Sequence, residues 1–65
     1  MNQLIEAVER ASISEAELCN SIGMTEETWR RKLNGEIEFT VSDILKLRTA
    51  LSLSNRDIKL IFFDR

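Results

Sequence analysis

A short pattern of apolar and hydroxyl residues recurs four times along this 65-residue chain. In each copy an apolar residue precedes a Ser or Thr, and another apolar residue follows four positions after the hydroxyl. The copies are Ile13-Ser14…Leu18, Met24-Thr25…Trp29, Phe39-Thr40…Ile44 and Leu53-Ser54…Ile58. This arrangement is typical of a helix N-cap flanked by a hydrophobic staple, so it predicts four helix starts.

Acidic residues strengthen three of these predicted starts. Glu17 stands three positions after Ser14 and completes a capping box, whereas Asp43 and Asp57 are expected to act more through the helix dipole. An earlier helix is indicated by apolar residues at helical spacing, Leu4, Ile5, Val8 and Ala11. The predicted helices lie at about residues 2–11, 14–22, 25–34, 40–51 and 54–63. The expected fold is therefore all-α, a compact five-helix cluster forming one domain over residues 1–65.

Composition narrows the classes of function. Cys19 is the only cysteine and histidine is absent, so neither an internal disulfide nor a zinc site is expected, and no cofactor is predicted. Cys19 is expected to pack in the interior. The carboxylates show no pairing with a nucleophile or base, which argues against an enzyme. The longest apolar run, Leu60–Phe63, is too short to cross a bilayer, and a cytoplasmic location without membrane contact is expected.

The junction between the second and third predicted helices is unusually short. The second helix is expected to end on Gly23, where a left-handed residue costs least. Only Met24 then precedes the cap Thr25, so the chain should turn sharply and set the two helices at a steep angle. Trp29 is expected to fill that angle opposite Met24, as a core residue rather than an exposed stacking surface.

This junction resembles the Cro/CI-type (XRE-like) helix-turn-helix family of phage repressors and related bacterial regulators. The resemblance covers roughly residues 3 to 62 and rests on Cys19, Gly23, Met24, Thr25, Trp29 and Gly35. It implies a lambda-repressor-like fold whose second and third helices form the helix-turn-helix. It also implies sequence-specific binding of double-stranded DNA, with the third helix in the major groove.

Carried onto this sequence, the resemblance implies base contacts from Thr25, Glu26, Glu27, Arg30, Arg31 and Asn34. An arginine of this set would bond guanine bidentately, the asparagine would bond adenine, and a glutamate would accept from cytosine. Lys32 and the Ser14 end of the second helix would face phosphate. The same charges have structural explanations, because first-turn acids favour the helix dipole and the basic run can pair with them.

Charge leaves a second interpretation open. The net charge is −2, and five acids near the proposed DNA face (Glu15, Glu26, Glu27, Glu36 and Glu38) oppose three bases. Because phosphate contacts supply much of DNA affinity, a monomer should bind weakly. The first hypothesis is a phage or prophage regulator that blocks polymerase or a competing repressor. The alternative is an antirepressor that uses its acidic surface to bind a basic DNA-binding partner, such as another repressor protein.

The C-terminal apolar run points in nearly every direction around a helix. Ile61 and Phe62 are expected to join the core with Ile58, which leaves Leu60 and Phe63 exposed as candidate contacts of a homodimer. Two-fold pairing would double the DNA contacts and present two half-sites. The alternative is a C-terminal segment folded back over the core.

Overall fold

The predicted capping hydroxyls each begin a helix in the computed structural model, which describes residues 2–63. Each hydroxyl accepts a hydrogen bond from the backbone N–H three residues later, which satisfies a donor that the helix itself cannot. The helices are α1 Asn2–Arg10, α2 Glu15–Ile22, α3 Glu26–Leu33, α4 Val41–Leu51 and α5 Asn55–Ile58, followed by a π-helical segment, Lys59–Phe63. The part of the chain described contains no strand, so the all-α prediction is confirmed.

Two carboxylates take a larger part in capping than the sequence predicts. Asp43 and Asp57 accept hydrogen bonds from the backbone N–H groups of Thr40 and Ser54, at 2.9 and 3.0 Å. Both therefore complete reciprocal capping boxes instead of acting mainly through the helix dipole. The shorter Asp side chain reaches back far enough to replace the usual Glu in this motif.

The C-terminal helix differs from its predicted form. A continuous helix to residue 63 was expected, but the α-helical turn of α5 ends at Ile58 and the chain continues as a π-helix. The wider π-helical turn places Ile61 in the core and leaves Phe63 65% exposed. In α1 the buried face includes Ala7, whereas Ala11 lies beyond the helix end and is exposed.

The core is built from side chains of α1, α2, α3, α4 and the π-helical segment. Trp29, Leu4, Leu18 and Leu47 are its largest fully buried side chains, contributed by α3, α1, α2 and α4. Phe39 stands edge-on to both Trp29 and Phe62, with ring centroids 6.1 and 5.4 Å apart, an arrangement that aromatic pairs favour. The aromatic contacts connect α3, the segment before α4 and the π-helical segment. Within residues 2–63 no helix has the length and apolar character needed to cross a bilayer.

Candidate nucleic-acid interface

The connection between α2 and α3 sets the position of the candidate interface. Gly23 ends α2 in a left-handed conformation with φ of 68°, as predicted, and the N–H of Met24 bonds to the carbonyl of Cys19 at 2.9 Å. Thr25 then caps α3 by accepting from the N–H of Thr28 at 3.2 Å. Since Met24 alone separates the two caps, α3 begins directly beside the end of α2.

The outward side of α3 carries most of the residues that the sequence singled out. The exposed residues of α3 and its C-cap fall on one side of the helix, as its 3.6-residue period requires, and are Glu26, Glu27, Arg30, Arg31 and Asn34. Thr25 is exposed at the start of the helix. Trp29 and Lys32 lie on the opposite side and are buried. The predicted base-contacting residues thus share one surface, which we call the α3 face.

A hydrogen bond from Trp29 fixes α3 against α2. The indole ring is 1% exposed, and its Nε1–H donates to Oε1 of Glu15 in the first turn of α2 at 3.1 Å. A buried indole N–H needs such an acceptor, since leaving it unpaired would cost free energy. The core position predicted for Trp29 is confirmed. The positioning role of Glu15 was not predicted; its only sign in the sequence is that Trp29 needs an acceptor.

The two arginines of the α3 face already have carboxylate neighbours. Arg31 pairs with Glu27 one turn back at 3.0 Å, whereas Arg30 lies 4.0 Å from Glu15 on the neighbouring helix. The arginine side chains are 53% and 68% exposed, so water screens both pairs strongly. Exposed pairs of this kind stabilise a fold by only about 0–1 kcal/mol. Both guanidinium groups therefore remain available to an external anion at little energetic cost.

Lys32 is the exception among the predicted site residues. It is 8% exposed, and its ammonium group is bonded to the carboxylate of Asp43 on α4. Lys32 therefore lies away from the exposed residues of α3, because its side chain leaves the helix on the buried side, and the predicted phosphate contact stays a prediction. Its distance of three residues from Trp29, on the same side of the helix, is the signal that would have predicted this.

Neutralising Lys32 makes the surroundings of the α3 face more acidic. Glu26 and Glu27 lie on the α3 face and Glu15 lies beside it on α2. With Glu36 and Glu38, which the sequence adds from the segment after α3, these acids oppose only Arg30 and Arg31, a formal charge of −3. Ser14 at the start of α2 uses its hydroxyl to donate to Glu17 at 3.1 Å. Arginine and asparagine side chains thus stand within an electronegative rim, which lowers affinity for any polyanion.

Cys19 lies beneath this region as a packed core residue, as predicted. It is 2% exposed, and burial raises the pKa of its thiol, with the nearby carboxylates of Glu26 and Glu15 adding to the effect. A thiol with a raised pKa is a poor nucleophile, since the thiolate is the reactive form. The side chain therefore has a packing role next to the turn.

Apolar side chains are exposed at two other places. Leu60 and Phe63 are 39% and 65% exposed, as expected, and Phe63 borders a groove of about 500 Å³ that is also lined by Phe39 and Phe62. Ile37, Val41 and Leu45 are exposed as well, at 40%, 74% and 55%, and the sequence had not singled them out.

No protein-family model, characterised protein or solved structure matches the chain. The α3 face therefore has to be interpreted from its own side chains and their setting.

Proposed function

We propose that this chain is a sequence-specific transcriptional regulator of the Cro/CI type that binds double-stranded DNA. In this proposal α2 and α3 form a helix-turn-helix with α3 in the major groove. The observation that carries it is the outward display of Arg30, Arg31 and Asn34 on one face of a short helix. These are the side-chain types that read guanine and adenine edges bidentately. The buried Trp29 on the opposite side supplies a rigid support for that face.

Arg30 and Arg31 can exchange their present carboxylate partners for DNA at a small cost in free energy. Their pairs with Glu15 and Glu27 are largely exposed, so exchanging them for phosphate or guanine contacts loses little. Glu26 and Glu27 oppose phosphate but accept from cytosine if they reach base edges. Weak non-specific binding and comparatively strong discrimination between sequences follow from this balance. An operator bound in this way would be closed to polymerase or to a competing repressor.

A homodimer would supply the affinity that a monomer lacks. Two copies related by a two-fold axis double the base contacts, and the sequence places the pairing at Leu60 and Phe63. Exposure of both residues supports that location. Phe63 borders an apolar groove that has room for an aromatic ring, which suits reciprocal insertion.

The test is fluorescence anisotropy of a labelled random duplex across a salt series. Binding should weaken steeply with salt, and the Arg30→Ala/Arg31→Ala variant should lower the slope of log affinity against log salt by about two. The matched control is Arg56→Ala/Lys59→Ala, which removes the same charge from exposed residues of α5 and the π-helical segment. Equal losses in both variants, or no binding of the wild-type chain at low salt, would contradict the proposal.

The −3 charge around the α3 face favours a second candidate function. An antirepressor would use the same acidic residues to bind a basic DNA-binding protein, and Lys32 would not oppose it because Asp43 neutralises that charge. Glu26→Gln/Glu27→Gln separates the two functions. Stronger duplex binding by this variant is expected if α3 faces DNA, since it removes repulsion. Lost binding to a basic repressor domain, without a gain on DNA, would favour the antirepressor.

A further inference from the structure

The groove bordered by Phe63 has the size and character of a small-molecule site. Its volume is about 500 Å³, and its apolar lining residues are Leu33, Ile37, Phe39, Ile44, Phe62 and Phe63. Pockets that hold small molecules measure about 300–1,000 Å³, with mostly apolar walls and few polar groups. Ile37 and Phe63 are exposed, so part of this apolar wall is open to water.

The phenylalanine rings of the groove favour an aromatic ligand. Phe39 stands edge-on to Phe62, with ring centroids 5.4 Å apart, and edge-on to the buried Trp29 as well. Phe63 borders the same groove. A flat ring bound here would add contacts of the kind that aromatic pairs already make in this part of the core. We therefore expect the groove to prefer an aromatic group to an aliphatic chain.

The charges around the groove favour a cation. Lys32 and Glu38 are the charged residues that line it. The ammonium group of Lys32 is bonded to the carboxylate of Asp43, which balances its charge. Glu38 is exposed, and within residues 2–63 it takes part in no ion pair. An ammonium group on the ligand would pair with this carboxylate, and phenylalanine rings attract a nearby cation as well.

We propose that this groove binds a small aromatic amine, with its ring among Phe39, Phe62 and Phe63 and its ammonium group at Glu38. The site is separate from the DNA contacts proposed above, because none of the residues of the α3 face lines the groove. A bound amine would therefore leave Arg30, Arg31 and Asn34 unobstructed.

The amine would regulate the chain through the proposed homodimer. The groove can hold either the ligand or the Phe63 ring of a second copy, so the ligand binds the monomer in preference to the dimer. A ligand that binds one state more tightly shifts the equilibrium toward that state. The doubled DNA contacts would then be lost, and operator binding would weaken. This regulation rests on the proposed function, whereas binding of the amine does not.

Heteronuclear NMR titration of the full chain, in a dilute sample without DNA, tests the site. Tryptamine, tryptophol and indolepropionate share one aromatic ring and carry a positive, a neutral and a negative group. Tryptamine should shift the backbone signals of residues 37–39 and 62–63. It should bind about two- to fivefold more tightly than tryptophol, the gain expected of an exposed ion pair, and indolepropionate should bind most weakly.

Glu38→Gln should lower the affinity for tryptamine to that for tryptophol and leave tryptophol binding unchanged. Glu36→Gln is the matched control, because it removes the same charge from an exposed residue that does not line the groove. Ile37→Ser should weaken tryptamine and tryptophol alike, by about threefold or more, since it removes apolar contact area. Leu45→Ser changes an exposed apolar residue outside the groove and should leave both affinities unchanged.

Equal affinity for the three probes, signal shifts confined to other parts of the chain, or equal losses in Glu38→Gln and Glu36→Gln would overturn the proposal. The titration contains no DNA and needs no dimer, so failure of the proposed function would leave its result unaffected. Sedimentation velocity tests the regulation separately, and saturating tryptamine should convert dimers to monomers. Dimers that persist would contradict pairing through Phe63 in the groove, while the NMR shifts would still support the amine site.

Discussion

The ammonium group of Lys32 on α3 is hydrogen-bonded to the carboxylate of Asp43 on α4, and both side chains are almost fully buried. The same oxygen of Asp43 accepts from the N–H of Thr40 at 2.9 Å. One carboxylate therefore caps α4 and ties it to α3. The segment between these helices is held at both ends, which fixes Phe39 between Trp29 and Phe62.

Lys32→Met should destabilise the fold. The substitution keeps an apolar stem of similar length but leaves the buried carboxylate of Asp43 without its cation. Leaving one charge of a buried ion pair without its partner is expected to lower the free energy of unfolding by about 2–3 kcal/mol. Urea denaturation followed by circular dichroism measures the change. Lys46→Met, at an exposed position, should have a much smaller effect, and equal losses would show that Lys32 contributes as an ordinary surface lysine.

Acid should weaken the fold through the same carboxylate. Burial opposes ionisation of Asp43, but hydrogen bonds from Lys32 and Thr40 outweigh it and hold its pKa below the usual value. A lowered pKa in the folded state contributes stability that is present above the unfolded pKa of about 3.9 and is lost as pH falls through the folded value. Urea denaturation at a series of pH values should therefore show stability declining below about pH 4–5.

Asp43→Asn should flatten that decline without abolishing it. Asp57 also has a lowered pKa, because the backbone N–H and hydroxyl of Ser54 bond to its carboxylate, and it titrates in the same direction. Asp57→Asn is thus a matched control at an exposed capping box. An unchanged pH profile in Asp43→Asn would mean that the buried pair does not control acid stability.

Gly23→Ala should be costly although nothing stands in the way of the added methyl group. No atom lies within 4 Å of a Cβ built at this glycine, but its φ of 68° is unfavourable for any residue with a side chain. The expected loss is about 1–2 kcal/mol of unfolding free energy. Gly35→Ala, with φ of 81° and equally open space, should lose a comparable amount. A neutral result at Gly23 would require the turn to relax, which altered chemical shifts of Met24 would reveal.

Features that depend on near neighbours in sequence were the most predictable. The caps at Ser14, Thr25, Thr40 and Ser54 involve bonds across three residues, so the pattern alone locates them. The partnership of Lys32 with Asp43 spans eleven residues and depends on how two helices pack, which local pattern does not encode.

In the candidate site, too, the features set by local sequence were predictable, and those set by packing between helices were not. Helical period was enough to place Arg30, Arg31 and Asn34 on one exposed face. The contact of Arg30 with Glu15, by contrast, follows from the approach of α2 to α3, whereas the pairing considered from the sequence lay within α3. The change from α- to π-helix at Lys59 was also missed, because the same apolar residues are compatible with either winding.

Glu15 has two roles: it accepts the hydrogen bond from Trp29 that holds α3, and its charge lies near Arg30 on the α3 face. Two substitutions separate these roles. Glu15→Gln keeps an acceptor for the indole N–H of Trp29 but removes the charge near Arg30. Its unfolding free energy should stay within about 0.5 kcal/mol of wild type, because the pair with Arg30 is long and exposed. Duplex binding should strengthen, most at low salt, since the rim loses one negative charge.

Glu15→Ala removes the acceptor as well as the charge. The buried indole N–H would lose its partner, and an unsatisfied buried donor costs about 1–3 kcal/mol. Because Trp29 is the only tryptophan, its fluorescence during urea denaturation reports directly on this contact. If Glu15→Gln lost as much stability as Glu15→Ala, the charge would hold α3 in place, and the indole bond would be secondary. If neither variant lost stability relative to the wild type, α3 would keep its position through packing of Trp29 alone.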